Sequence, residues 1–155
     1  MEIELTEQQA QPILSIRAKT SIENLPKLIG ESYHIIMDYL NELGEQPADV
    51  PFTAYYILDI QGFDMQDMDI EMGFPTSKPL PGKDDIKAGE IPQGKIVSCM
   101  YKGHYSKMEP VYNEVFNWIN ENGHQSTGVY YEYYYNAPDE VPESELLTRI
   151  VIPVK

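Results

Sequence analysis

Twice along this chain the same local order recurs, and that recurrence limits the folds open to it. Pro12 to Lys19 alternates Ile and Leu with smaller or polar residues, as a strand does. Thr20-Ser21-Ile22-Glu23 has capping-box spacing, but Pro26 would lie too deep in a helix begun there. The helix is therefore expected from Asn24 or Leu25, with Pro26 in its first turn. Leu25, Leu28, Ile29, Ile36, Leu40 and Leu43 mark its apolar face, and Gly44 ends it. Phe52 to Ile60 and Met68 to Phe74 read as a hairpin turning near Gln61-Gly62-Phe63-Asp64. In the second half Gly94 to Tyr101 is a strand, and Ser106 to Glu109 is a second capping box. That box opens a helix with Pro110 in its first turn and Asn122-Gly123 at its end. Thr127 to Pro138 and Glu145 to Val154 supply two more strands. Pro75 to Gln93 holds Pro75, Pro79, Pro81, Gly82, Gly89 and Pro92, and reads as a crossover loop, not a strand. The expectation is one α+β domain over 1–155, built from two pseudo-twofold β-α-β-β repeats, about 12–74 and 94–154, joined by a linker at about 75–93. Each repeat would carry an antiparallel sheet under its own helix, with a ligand cleft between the two.

The most unusual stretch is TGVYYEYYYNAP, in which tyrosines surround a single carboxylate, Glu132. Strand alternation puts Tyr130, Glu132 and Tyr134 on one face and Tyr131, Tyr133 and Tyr135 on the other. An acid between two rings is costly to bury without a partner. Two readings are open: a ligand site with one negative charge in an aromatic box, or a Glu held by Tyr hydroxyls for stability or left on a solvated face. Tyr33, Met37 and Tyr56 are candidates to line such a pocket from the first half or to pack in the core. Trp118, on the inner face of the second helix with Met108, Val111, Tyr112, Val115 and Ile119, reads as core before ligand contact.

Composition removes several classes. The formal net charge is −14, from 25 acids against 11 bases, which repels nucleic acid. No apolar run is long enough to span a bilayer, and the acidic, polar MEIELTEQQAQ is not a secretory signal. A lone cysteine, Cys99, precludes an internal disulfide, suits a reducing cytoplasm, and reads as a small core residue. His34, His104 and His124 fall on separate elements without metal-ligand spacing, so no metal and no cofactor is expected. Asp64, Asp67, Asp69 and Glu71 lack EF-hand spacing and read as a solvated turn.

Several short motifs stand in a particular order: Gly103-His104-Tyr105 after a strand, Trp118-Ile119 late in a helix, Glu132-Tyr133 with Pro138 beyond it, and Val151-Ile152-Pro153 at the close. With Asp69 to Thr76 in the first half, this order resembles the gyrase-inhibitor-like (GyrI-like) effector-binding family over nearly the whole chain. His104 stands where Pro is frequent in that family. The resemblance implies the twofold β-α-β-β fold and a central pocket for flat, hydrophobic, often cationic molecules, with Glu132 matching the family's pocket glutamate. Related domains form the sensing half of multidrug-responsive regulators; others stand alone, and some of those hydrolyse cyclopropanoid DNA alkylators. With the effector fold occupying almost all of the chain, the resemblance favours a stand-alone detoxifying hydrolase, with a binding or sensing module, or a gyrase-interacting protein, as the alternative. For hydrolysis Glu132 would orient and deprotonate water while Tyr101, or its rivals Tyr105 and Tyr134, donates to the developing oxyanion. For binding, Tyr105, Tyr130 and Tyr134 would stack on the ligand and Glu132 would offset its charge.

Overall fold

The computed structural model describes residues 2–57 and 64–155. Eight strands, β1 (Glu4–Gln8), β2 (Gln11–Thr20), β3 (Phe52–Tyr56), β4 (Met68–Pro75), β5 (Lys87–Ile91), β6 (Gly94–Lys102), β7 (Val129–Tyr134) and β8 (Leu147–Pro153), accompany two helices, α1 (Leu25–Leu43) and α2 (Glu109–Glu121). The strands form one antiparallel sheet in the order β1-β6-β8-β7-β3-β4-β2-β5. The order reads the same from either end once β2, β3 and β4 are matched to β6, β7 and β8. The expected repeats are therefore present, but their strands are fused edge to edge through β3 and β7, not set side by side as two sheets.

Two strands lie outside the expected repeats. The presumed crossover loop contains β5, which pairs with β2 from Gln11↔Ile91 to Ser15↔Lys87. The polar N-terminus contains β1, which pairs with β6. Each strand directly precedes one repeat and is added to the outer edge of the other, so the repeats exchange arms. The sequence hides both because they are five-residue edge strands exposed along most of their length. An exposed edge needs no alternating apolar residues, and its backbone bonds alone hold it.

Helix α1 begins at Leu25 with Pro26 in the first turn and ends at Gly44, whose φ of 71° belongs to the left-handed region. Neither capping box forms. Asn24 and Met108 precede the two helices without side-chain cap bonds. The Ser106 N–H instead donates to His104 Nδ1 (3.2 Å), at the head of a 3₁₀ turn over Tyr105–Lys107. The end of the strand expected over Phe52 to Ile60, and most of the turn after it, lie outside the described residues.

Both helices lie on one face of the sheet. Leu14, Phe74 and Ile86 pack with Ile36, Tyr39 and Leu40 of α1, and Leu25 meets Met68, Ile70 and Met72. Under α2, Val115 and Ile119 pack on Val97, Cys99, Tyr130, Ile150 and Ile152. On the opposite face Ile13 of β2 and Ile91 of β5 join Ile96 of β6, Val151, Phe52 and Tyr131 in one cluster. Residues from distant strands can meet there only because the sheet curls towards that face. Burial of the Cys99 thiol, its environment desolvated, pushes its pKa up to about 11, as suits a core residue.

The β2–β4–β3 contact leaves no room for a side chain at Gly73. A Cβ there would lie 2.9 Å from Ser15 Cβ and 3.1 Å from Phe52 Cζ, and would collide with the Leu14 carbonyl. Gly73→Ala should lower stability by about 1–3 kcal/mol, read as a lower midpoint of urea unfolding, because the crowding atoms are largely backbone and core.

Candidate functional site

The candidate site forms at the seam of the two repeats. Thr53 of β3 pairs directly with Glu132 of β7, and Tyr55 with Tyr130, so these four side chains share the face that carries the helices. Beyond Glu132, Ile150 is its partner on β8, and Tyr134 pairs with Thr148. Glu132 is only 8% exposed. The Tyr112 hydroxyl, from α2, donates a short hydrogen bond to its Oε2, and the Tyr134 hydroxyl donates to Oε1 at 2.7 Å. The Tyr55 side chain also stabilises the carboxylate. Tyr33, reaching in from α1, shares a hydrogen bond of 2.9 Å with Thr53 Oγ1 and lies edge-on to Phe74.

The cage is made of neutral donors. Burial raises the Glu132 pKa above its ordinary value, and the phenol bonds from Tyr112, Tyr134 and Tyr55 pull it part of the way back. Burial, and then the Glu132 charge, hold the Tyr55, Tyr112 and Tyr134 phenols far above their ordinary pKa. These tyrosines are thus proton-bearing donors at neutral pH. Tyr105 covers the cage from the 3₁₀ turn: it is 36% exposed, its ring meets Tyr134 edge-on at 5.8 Å, and burial followed by the Glu132 charge raises its pKa. Thr148 Oγ1, on the same face beside Tyr134, is buried and has no hydrogen-bond partner among the described residues.

Four of the residues picked from sequence, Tyr33, Tyr105, Tyr130 and Tyr134, share this face with Glu132 around the seam. Four others lie elsewhere or are engaged. Tyr56 points to the opposite face, because its neighbour Tyr55 takes the Glu132 side. Met37, on α1 itself, packs against the cluster that contains Leu14, Ile36 and Leu40. Trp118 stacks on His124 near the end of α2, with ring centroids 6.4 Å apart. Tyr101 lies in the same sheet row as Thr148 and Tyr134, but its hydroxyl donates to the His104 carbonyl at 2.8 Å. Gly103, at φ 142°, permits that fold-back; a Cβ there would lie 2.8 Å from the Tyr101 hydroxyl. Sequence reasoning missed Tyr112 and Tyr55 as carboxylate partners. Tyr112 was legible as an inner-face helix residue, but only the position of α2 over β7 directs it at Glu132.

The sequence matches the GyrI-like small molecule binding domain over residues 1–155. The chain belongs to the GyrI-like family. This GyrI-like domain shares its fold with EcmrR in its DNA complex (TM-score 0.86, 21% identity), covering 99% of this chain but 57% of that one. It therefore spans little more than half of that protein. The isolated C-terminal domain of EcmrR is matched at 20% identity over 97% of its length, with a TM-score of 0.76. A hydrolase from Listeria innocua (14% identity, TM-score 0.71) is matched over 99% of this chain and 92% of that one. SAV2435, solved with tetraphenylphosphonium bound, has a TM-score of 0.69 at 14% identity, over 100% of this chain and 94% of that one. At these identities the likeness is one of fold. No curated protein matches the sequence. Among the described residues no helix is long and apolar enough to cross a membrane, and no three His, Cys, Asp or Glu side chains cluster as a metal site.

The raised pKa sets a pH dependence. Between the ordinary carboxylate value of 4.5 and the higher folded value, the folded protein holds a proton that the unfolded chain has released. The stability linked to Glu132 is therefore fully present below the ordinary value and is lost as pH rises through the folded one. In Glu132→Gln this slope is absent. The unfolding free energy of wild type relative to the variant should fall from pH 4.5 towards neutrality; a pH-independent difference would contradict the assignment.

Proposed function

We propose that this GyrI-like domain binds hydrophobic organic cations over Glu132 and its phenol cage. The observation that carries the reading is a single buried carboxylate satisfied only by neutral, proton-bearing tyrosines. Among the described residues no Lys or Arg pairs with Glu132, so a cationic ligand supplies the countercharge. Ring faces of Tyr105, Tyr130 and Tyr134 offer cation–π contact and apolar area, about 0.5–2 kcal/mol per cation–π contact. Such contacts demand little directional geometry, which favours breadth among bulky cations of diffuse charge. SAV2435, with the same fold and bound to tetraphenylphosphonium, supports this class of ligand. The lone buried thiol suits a cytoplasmic setting.

A second reading, hydrolysis of cyclopropanoid alkylators, is favoured by the contact of carboxylate and phenols. In it Glu132 takes a proton from water as the oxygen bonds to a cyclopropane carbon. The strained C–C bond breaks towards the conjugated carbonyl, whose oxygen receives a proton from a phenol. Tyr112 and Tyr134, already bonded to Glu132, are better placed for this than Tyr101, whose hydroxyl is engaged by His104. The product is the substrate plus one water, and the role is detoxification.

Tetraphenylphosphonium titrated calorimetrically into wild type should bind with an affinity that rises with pH as Glu132 ionises. Glu132→Gln should weaken it by about tenfold or more and remove the pH dependence. Equal affinity in the two proteins would sink the binding reading. Mass spectrometry of a cyclopropanoid alkylator incubated with each protein tests the second: a Glu132-dependent gain of one water supports it, and unchanged compound overturns it.

A further inference from the structure

The curl of the sheet leaves a groove of about 420 Å³ on the face opposite Glu132. Its deep wall is Ile13, Tyr56, Glu71, Val129 and Tyr131, contributed by β2, β3, β4 and β7. Tyr131 and Glu132 are neighbours in sequence yet face opposite sides of the sheet, so a ligand in this groove has no contact with the Glu132 cage.

Glu71 is the deep charge of the groove. Its Oε1 accepts from the Tyr56 hydroxyl at 2.6 Å and its Oε2 from Ser15 Oγ at 2.5 Å, both neutral donors. Arg17, across from it on β2, is bound at 2.9 and 2.7 Å to Asp69, and its guanidinium lies 3.7 Å from the centroid of the Tyr56 ring. The guanidinium is thus hydrogen-bonded to another carboxylate and packed on the Tyr56 ring; its charge reaches Glu71 only through space. Each Glu71 oxygen retains acceptor capacity beyond its one hydroxyl bond. Glu90 and Lys95, opposite in sign and exposed, line the outer part of the groove. The charge of Glu71 also reaches Tyr131, whose pKa is pushed up to about 12 by burial first and by Glu71 second.

We propose that this groove is a second ligand site, for a small aromatic monoamine whose ammonium donates to Glu71 while its ring lies against Tyr131, Ile13 and Val129. The two sites then differ in what they ask of a cation. The Glu132 cage offers rings and one carboxylate whose two oxygens are each already held by a phenol, which suits a diffuse charge without N–H groups. The Glu71 groove has open acceptor positions, which suit a primary ammonium with three donors.

Phenethylammonium is the probe. By titration calorimetry it should bind wild type and Glu132→Gln alike, and tetraphenylphosphonium should not displace it. Glu71→Gln should weaken it by about tenfold. Val129→Phe, which narrows the groove from β7, should also abolish binding, and the neutral analogue 2-phenylethanol should not bind wild type. Thermal unfolding of each variant confirms that it is folded. Absence of phenethylammonium binding to wild type, unchanged affinity in a folded Glu71→Gln, or loss of binding in Glu132→Gln would each overturn the proposal. Because the readout is independent of Glu132, its failure leaves the cation-binding reading standing, and the reverse.

Discussion

The pairing of β3 with β7, Thr53 opposite Glu132, joins the two repeats into one sheet and places a carboxylate at its centre. A charge at such a position is tolerable only when its desolvation is offset by hydrogen bonds. Phenols supply them, Tyr112 from α2 and Tyr134 from β7, with Tyr55 of the first repeat beside them on the same face. The cage therefore ties together elements far apart in sequence, and it does so with groups that stay neutral. An Arg or Lys at the same place would have made a closed ion pair. Neutral donors keep the carboxylate satisfied without adding a formal countercharge.

The exchanged arms complete the frame. With β1 on β6 and β5 on β2, each repeat covers the outer strand of the other. The turn between β5 and β6 lies close to β1, where Gln8 Nε2 donates to the Pro92 carbonyl at 3.0 Å. The curl that results turns one face into a small apolar core with a groove at its end. The other face spreads the two helices apart over the seam. One sheet thereby carries two surfaces of different chemistry, separated by the thickness of a backbone.

Alternation along single strands decides which residues serve which surface. Along β7, Tyr130, Glu132 and Tyr134 belong to the helix side, and Tyr131 and Tyr133 to the opposite core. Along β3, Thr53 and Tyr55 go with Glu132, and Phe52, Ala54 and Tyr56 with the other side. Asp69 and Glu71, which in sequence look like part of an acidic turn, are strand residues on the groove side. Asp69 is ion-paired to Arg17 there, and Glu71 is held by Tyr56 and Ser15. The strand begins at Met68 as expected, but the solvated reading of the acidic run does not hold for these two members, whose carboxylates are tied to Arg17, Tyr56 and Ser15.

The sequence by itself determined the two helices, six of the eight strands and the division of the tyrosine run into two faces. These follow from local periodicity, from proline at helix starts and from glycine at helix ends, all of which act over a few residues. It also singled out Glu132, since a lone acid among rings is conspicuous wherever the chain goes. Tertiary structure alone decided the edge strands β1 and β5, whose exposed residues carry no period because only backbone bonds to distant strands hold them. It alone decided that Tyr55, not Tyr56, meets Glu132, because strand alternation defines two faces without saying which one a partner strand will match. It brought Tyr112 over the carboxylate by the docking of α2, and it diverted Tyr101 to the His104 carbonyl through the backbone conformation at Gly103. Register and helix docking are long-range choices, set by which apolar faces can be buried together, and no single stretch of the chain contains them.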